Sequence, residues 1–133
     1  RSAGAGMSHR EWLDMDNKRR INMMAFDAFF EGVDVILAPV CCGPAFLKNE
    51  EGTRHFRRIE VNGAPQLEPR QLFWSGYSGV VGLPSAVGPM DQIGGLPVGY
   101  QAITGHGRDH TALAFARCVE REIVGFVPPP LVR

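Results

Sequence analysis

Apolar residues follow two different periods along this chain, and the switch between them marks its elements. From Ser8 to Glu31 the large ones, Trp12, Met15, Met23, Phe26 and Phe30, recur at the three- and four-residue steps of one helix face. Asp14, Asp16, Lys18 and Arg20 lie mostly off that stripe. Ser8-His9-Arg10-Glu11 has the spacing of a capping box, in which a serine oxygen accepts from a first-turn amide and a glutamate returns to the cap amide. The pattern predicts an amphipathic helix ending near Glu31, with Gly32 as its left-handed terminator. Val33 to Val40 is then a short, nearly continuous apolar run with β-branched residues, which suits a strand buried on both faces. Helix followed by buried strand is the order of a crossover unit in an α/β protein.

Lys48 to Arg70 is polar and without period, and reads as an unusually long loop. Beyond it, Phe73, Tyr77, Val80 and Val81 share one helical face, so Leu72 to Val81 predicts a short buried helix in which Gly76 and Gly79 admit a neighbouring backbone. Gly82-Leu83-Pro84 and Gly95-Leu96-Pro97 each lead into an apolar run and read as strand entrances. Gly88 to Gly94 between them predicts a loop longer than a two-residue turn. Gly105 to Gly107 predicts a turn, with Asp109 capping a helix to about Ile123 that buries Ala112, Phe115, Ala116, Val119 and Ile123. Residues 1–7 read as a flexible lead-in and 128–133, with three prolines, as an extended tail.

Composition narrows this picture without redirecting it. The chain has 133 residues, 44% hydrophobic and 21% charged, enough for one domain with a core. Fourteen basic residues balance fourteen acidic ones, so no net field recruits nucleic acid or an anionic membrane. No apolar run has the length of a bilayer span, and the first residues lack the pattern of a secretory leader. Cys41, Cys42 and Cys118 are an odd set with two adjacent, a poor disulfide framework, and the expected setting is a reducing cytoplasm.

Candidate chemistry is sparse. His106 and His110 flank Asp109, but the surrounding glycines place His106 before the helix and no third ligand cluster is visible, so no metal is expected. Ser78, His106 and Asp109 supply the residue types of a hydrolytic triad, yet Val80 stands where a nucleophile elbow needs its second glycine. Gly76, Gly79 and Gly82 match no phosphate-binding fingerprint. Cys41-Cys42 reads as small buried side chains rather than a redox pair, since no nearby histidine lowers a thiol pKa. Trp74 and Tyr77 flank Ser75-Gly76 and are either the lining of an apolar substrate pocket or core.

From Asp34 to Glu120 the order of motifs resembles the C-terminal portion of the amidase signature hydrolases. The residues that carry it are Asp34-Val35-Ile36-Leu37-Ala38-Pro39 with Pro44-Ala45-Phe46, then Gly82-Leu83-Pro84, then Gly95-Leu96-Pro97-Val98-Gly99-Tyr100-Gln101, and Asp109 opening a helix through Val119-Glu120. Gly79 and Asp91 depart from the family pattern. The resemblance implies an α/β/α layered fold with a mixed sheet, of which residues 1–133 form the C-terminal part. It also implies hydrolysis of a small-molecule carboxylic amide by a serine nucleophile, a second serine in a cis peptide and a lysine base, with no cofactor. Lys18 and Lys48 are the only lysines and match no catalytic position, and Gly94-Gly95 is followed by Leu96 rather than by serine. No catalytic residue is therefore assigned, and Trp74 and Tyr77 are the expected substrate contacts. The chain alone is expected to be inactive, to self-associate through exposed sheet edges, and to bind neither nucleic acid nor membrane. The alternative is a stand-alone, non-catalytic binding or assembly module derived from the same fold.

Overall fold

The computed structural model describes residues 3–128. The prolines at 129 and 130 and the rest of the expected tail lie outside that range. A short 3-10 turn, Ala3–Gly6, leads to helix α1, His9–Phe29. Its capping box forms as the sequence requires: Glu11 N donates to Ser8 Oγ, and Ser8 N donates to Glu11 Oε2 at 2.7 Å. The helix ends differently from expectation. Phe30 is its cap with φ −77, and Gly32 does not take a left-handed conformation. Phe30 is instead drawn into the core, with 2% of its surface exposed, and that contact ends the helix.

Strand β1, Ile36–Pro39, is shorter and more exposed than the apolar run predicts. It pairs antiparallel with β5, Leu96–Ile103, in the register Ile36↔Ile103 to Pro39↔Tyr100. The central position belongs to β5, which also pairs antiparallel with β4, Ser85–Ile93, giving the order β1-β5-β4. The crossover expectation thus fails for this pair, and β1 is an edge strand of the described sheet with Leu37 about half exposed. Every strand pair among the described residues is antiparallel.

The loop expected over Gly88–Gly94 shrinks to a two-residue turn, because β4 runs on to Ile93. Gly94 and Gly95 both take positive φ, 59 and 78, as a tight hairpin turn requires, and pairing resumes at Ile93↔Leu96. Gly88, Pro89 and Met90 continue the strand through a bulge between Pro89 and Asp91, where the missing proline amide disturbs no ladder. Gly88 has a separate reason to be glycine: a Cβ there would lie 2.8 Å from the ring of Tyr100 directly opposite.

Residues 48–70 also correct the sequence. They hold a second hairpin, β2 (Arg58–Val61) with β3 (Ala64–Leu67), flanked by two 3-10 turns, Arg54–Phe56 and Glu68–Gln71. Helix α2 spans Leu72–Val81, as predicted, and ends on left-handed Gly82, but of the face expected to be buried only Val81 is, while Phe73, Tyr77 and Val80 are exposed. Its interior glycines, Gly76 and Gly79, face open space rather than a neighbouring backbone. Helix α3, Asp109–Glu122, begins one residue earlier than expected: Arg108 occupies the cap position and Asp109 lies in the first turn. Ala112 and Val119 are buried as predicted, whereas Ile123 is exposed.

Alternation along β5 divides the core into two layers. Ile103 faces α1 and α2, packing with Phe30, Val81 and Leu83 and, at the margin, Met23, Phe26 and Ile36. Tyr100 and Ala102 face α3, packing with Val119 and with Val35, Met90, Phe115 and Val124. Helices on both sides of the sheet give the α/β architecture anticipated from the sequence. No helix among the described residues is long and apolar enough to cross a membrane.

Candidate functional site

A wide concavity follows from how the chain leaves β1. After Pro39 the segment Val40–Phe46 runs past the far ends of β4 and β5 and leaves a groove of about 750 Å³. Its walls are almost wholly apolar, with Leu37, Val40, Phe46, Val87, Met90 and Tyr100 among them. Gly43 and Pro44 turn the segment, and Cys41 Sγ donates to the Gly43 carbonyl at 2.9 Å, which holds the bend from inside. Cys41 and Cys42 are half-buried in this wall, in keeping with small packing side chains.

Gln101 fixes the groove to the helical layer. It is 3% exposed, and its Nε2 donates to the Pro39 carbonyl at 2.9 Å and to the Trp74 carbonyl at 2.7 Å. One buried amide thereby ties the end of β1 to α2, satisfying groups that would otherwise be costly to bury. No buried side-chain polar atom among the described residues lacks a partner. Tyr100, beside Gln101 and facing the other way, has its pKa raised by burial and then by the charge of Glu120, so its phenol stays neutral at physiological pH.

A second cleft, about 450 Å³, lies between α1 and α2 and is lined by Asn22, Phe26, Leu72, Phe73, Tyr77 and Val80 among others. Tyr77 stands in this cleft, edge-on to Phe26 at 5.8 Å and to Phe73 at 5.7 Å. Trp74 lines neither concavity; its ring packs edge-on against Phe73 at 5.2 Å and its carbonyl receives Gln101. The two aromatic residues read from the sequence as substrate contacts therefore sit on one helix with different neighbours.

The triad residues do not converge. Both ring nitrogens of His106 are engaged, Nδ1 with Asp27 at 2.5 Å and Nε2 with the Val81 carbonyl at 2.8 Å, so neither meets Ser78 or Asp109. Among the described residues no three His, Cys, Asp or Glu side chains gather in a way that would hold a metal. Sequence reasoning missed the Cys41–Phe46 wall, the Gln101 bridge and the His106–Asp27 pair. Only Gln101 left a signal, a polar residue inside an apolar strand.

The architecture has close counterparts. A model of the family described as Amidase matches residues 2–113. An indoleacetamide hydrolase of Bradyrhizobium diazoefficiens is 30% identical over 116 residues, which cover 84% of this chain and 20% of that protein. A solved structure described as an amidase superposes with a TM-score of 0.73 at 24% identity, over 89% of this chain and 26% of the other. A bacterial aryl acylamidase of the amidase signature enzymes superposes at 0.67 and 22% identity, over 96% of this chain and 27% of the other. The chain thus spans about a fifth of the length of the curated relative and about a quarter of each solved structure. With residues 2–113 matched by the family model and the helical and sheet layers superposing on amidase structures, the chain belongs to the Amidase family.

Proposed function

We propose that these 133 residues act as the C-terminal part of an amidase-signature hydrolase that cleaves the C–N bond of a carboxylic amide, supplying sheet, covering helices and an apolar wall of the substrate pocket. The observation that carries this is the family match over residues 2–113 on a chain that spans 20% of its curated relative. The lysine base and the Gly-Gly-Ser-Ser loop lie outside this sequence, since neither Lys18 nor Lys48 matches the catalytic position. The groove between Val40–Phe46 and the β4–β5 hairpin suits the apolar portion of an amide, because its walls offer dispersion contacts and few polar groups. Trp74 and Tyr77 are proposed as substrate contacts contributed by α2 outside the walls of this groove, Tyr77 from the α1–α2 cleft and Trp74 from beside Gln101, which ties α2 to the end of β1. The outer edges of β1 and β4, unpaired among the described residues, support pairing with further strands, and self-association where those strands are missing. Three free cysteines support a reducing, cytoplasmic setting.

Two measurements test this. The coding sequence upstream of Arg1, read in frame, is expected to supply a lysine followed by Gly-Gly-Ser-Ser. A stop codon there would overturn the proposal in favour of a binding module. The purified 133-residue chain is expected to show no amide turnover; turnover abolished by Ser78→Ala would place the chemistry within this chain instead.

A further inference from the structure

We propose that His106 is a protonation-dependent latch that fastens helices α1 and α2 to the loop between β5 and α3. The geometry carries it. Asp27 Oδ1 on α1 lies 2.5 Å from His106 Nδ1, and the Val81 carbonyl at the end of α2 lies 2.8 Å from Nε2. A carbonyl oxygen and an ionised carboxylate only accept hydrogen bonds, so both ring nitrogens must donate, and only the imidazolium has two N–H groups. A neutral ring in either tautomer turns a lone pair toward one of the two oxygens. Val81 also sits at the negative end of the α2 dipole, which favours a cation there.

The loop leaves the ring little freedom to adapt. Thr104 is fully buried, its amide donates to the Pro84 carbonyl at 3.0 Å, and its hydroxyl donates to the Arg108 carbonyl at 3.0 Å. Gly105 backs onto Phe30 so closely that a Cβ would lie 3.1 Å from the Phe30 Cβ. The charged groups around His106 are few. Asp27 comes from α1, and α2 carries no charged side chain. In its own loop Arg108 is directed toward Asp34 at 4.0 Å, and Asp109 opens α3.

These contacts hold the imidazole above its ordinary range, through the hydrogen bond to Asp27 first and that to Val81 second, with partial burial opposing. A raised folded-state pKa contributes stability that is fully present below the unfolded value of about 6.5 and is lost as pH rises through the folded value. The latch is thus closed below about pH 6.5 and opens as pH rises through the raised midpoint. Phe26, beside Asp27, and Val81 both line the α1–α2 cleft, so opening loosens that cleft and the position of Tyr77 within it.

A histidine-selective NMR titration of the protein from about pH 4 to about pH 10 tests this directly. The His106 signal, assigned by His106→Gln or by its displacement in Asp27→Asn, is expected to titrate above the ordinary histidine value of about 6.5. Asp27→Asn is expected to lower that midpoint. Denaturant unfolding should show the stability advantage of wild type over Asp27→Asn shrinking as pH rises through the His106 midpoint. A midpoint at or below about 6.5, no shift in Asp27→Asn, or parallel stability profiles would each overturn the latch.

Discussion

The two halves of helix α1 carry apolar residues on one face, interrupted at Arg19, and are stabilised in opposite ways. The N-terminal half is held by neighbours within four residues: the Ser8–Glu11 capping box, and Asp16 bonded to both Arg19 and Arg20 at 2.7 and 2.9 Å. The Asp16 carboxyl is held below its usual range by Arg20 first and Arg19 second. Trp12 and Met15, the stripe residues of this half, are 53% and 54% exposed, and the Trp12 ring stacks on His9 of its own helix. In the C-terminal half Met23 and Phe26 pack against the core, and Phe30 just past the helix is buried among Val81, Leu83 and Ile103. The contrast teaches that helical period reports which face is apolar, and that burial depends on whether the fold brings a partner to it. In the proposed complete hydrolase, the uncovered half is where further polypeptide would pack.

The contrast can be broken from the buried end. Phe30→Ala should cost about 3–5 kcal/mol by removing the largest buried side chain shared by α1 and the sheet, read as a shift in the urea midpoint at unchanged slope. A cost close to that of a surface substitution would mean that the two halves do not differ. Gly105→Ala should cost about 1–3 kcal/mol, because the new methyl presses on a Phe30 that has no room to yield. Neutrality there would show that this end of α1 is loosely seated.

Smaller effects sharpen the comparison from the exposed end. Ser8→Ala should cost about 1 kcal/mol of helix stability through loss of the cap acceptor, and circular dichroism should show fraying confined to the first turns. Trp12→Ala should change stability by less than about 0.5 kcal/mol in the 133-residue chain. A larger loss from Trp12→Ala would reveal a partner for this half of the helix, for example a second copy of the chain.

Much of this fold is legible from residues alone. The Ser8 cap, the bounds of α2 and the launching of β4 after Gly82-Leu83-Pro84 all rest on backbone preferences that act within a few residues. Two hairpin turns were equally local and were passed over. Asn62-Gly63 between Arg58–Val61 and Ala64–Leu67 takes positive φ at both positions, the strongest short-range hairpin signal, yet the charge of the flanking segments masks it. Gly94-Gly95 is a turn of the same kind, hidden because Gly88 and Pro89 resemble loop residues when they belong to a bulged strand. The candidate site was less legible. Trp74 and Tyr77 announce themselves as aromatic residues, whereas the groove is lined by aliphatic and small residues that look ordinary in sequence.

By itself the sequence determined the three α-helices, the α/β class, the capping of α1 and the membership suggested by its ordered Gly-Leu-Pro and Gly-Tyr-Gln motifs, because each rests on local stereochemistry or on a run of residues in fixed order. Tertiary structure alone decided that β5 is central and β1 an edge, that half of the α1 stripe finds a core, and that Gln101 joins β1 to α2. It also brought Asp27 to His106 across 79 residues of sequence. The physical reason is one of range: a hydrogen bond or a buried contact acts over a few ångströms of space, and only the folded chain sets which distant residues come that near.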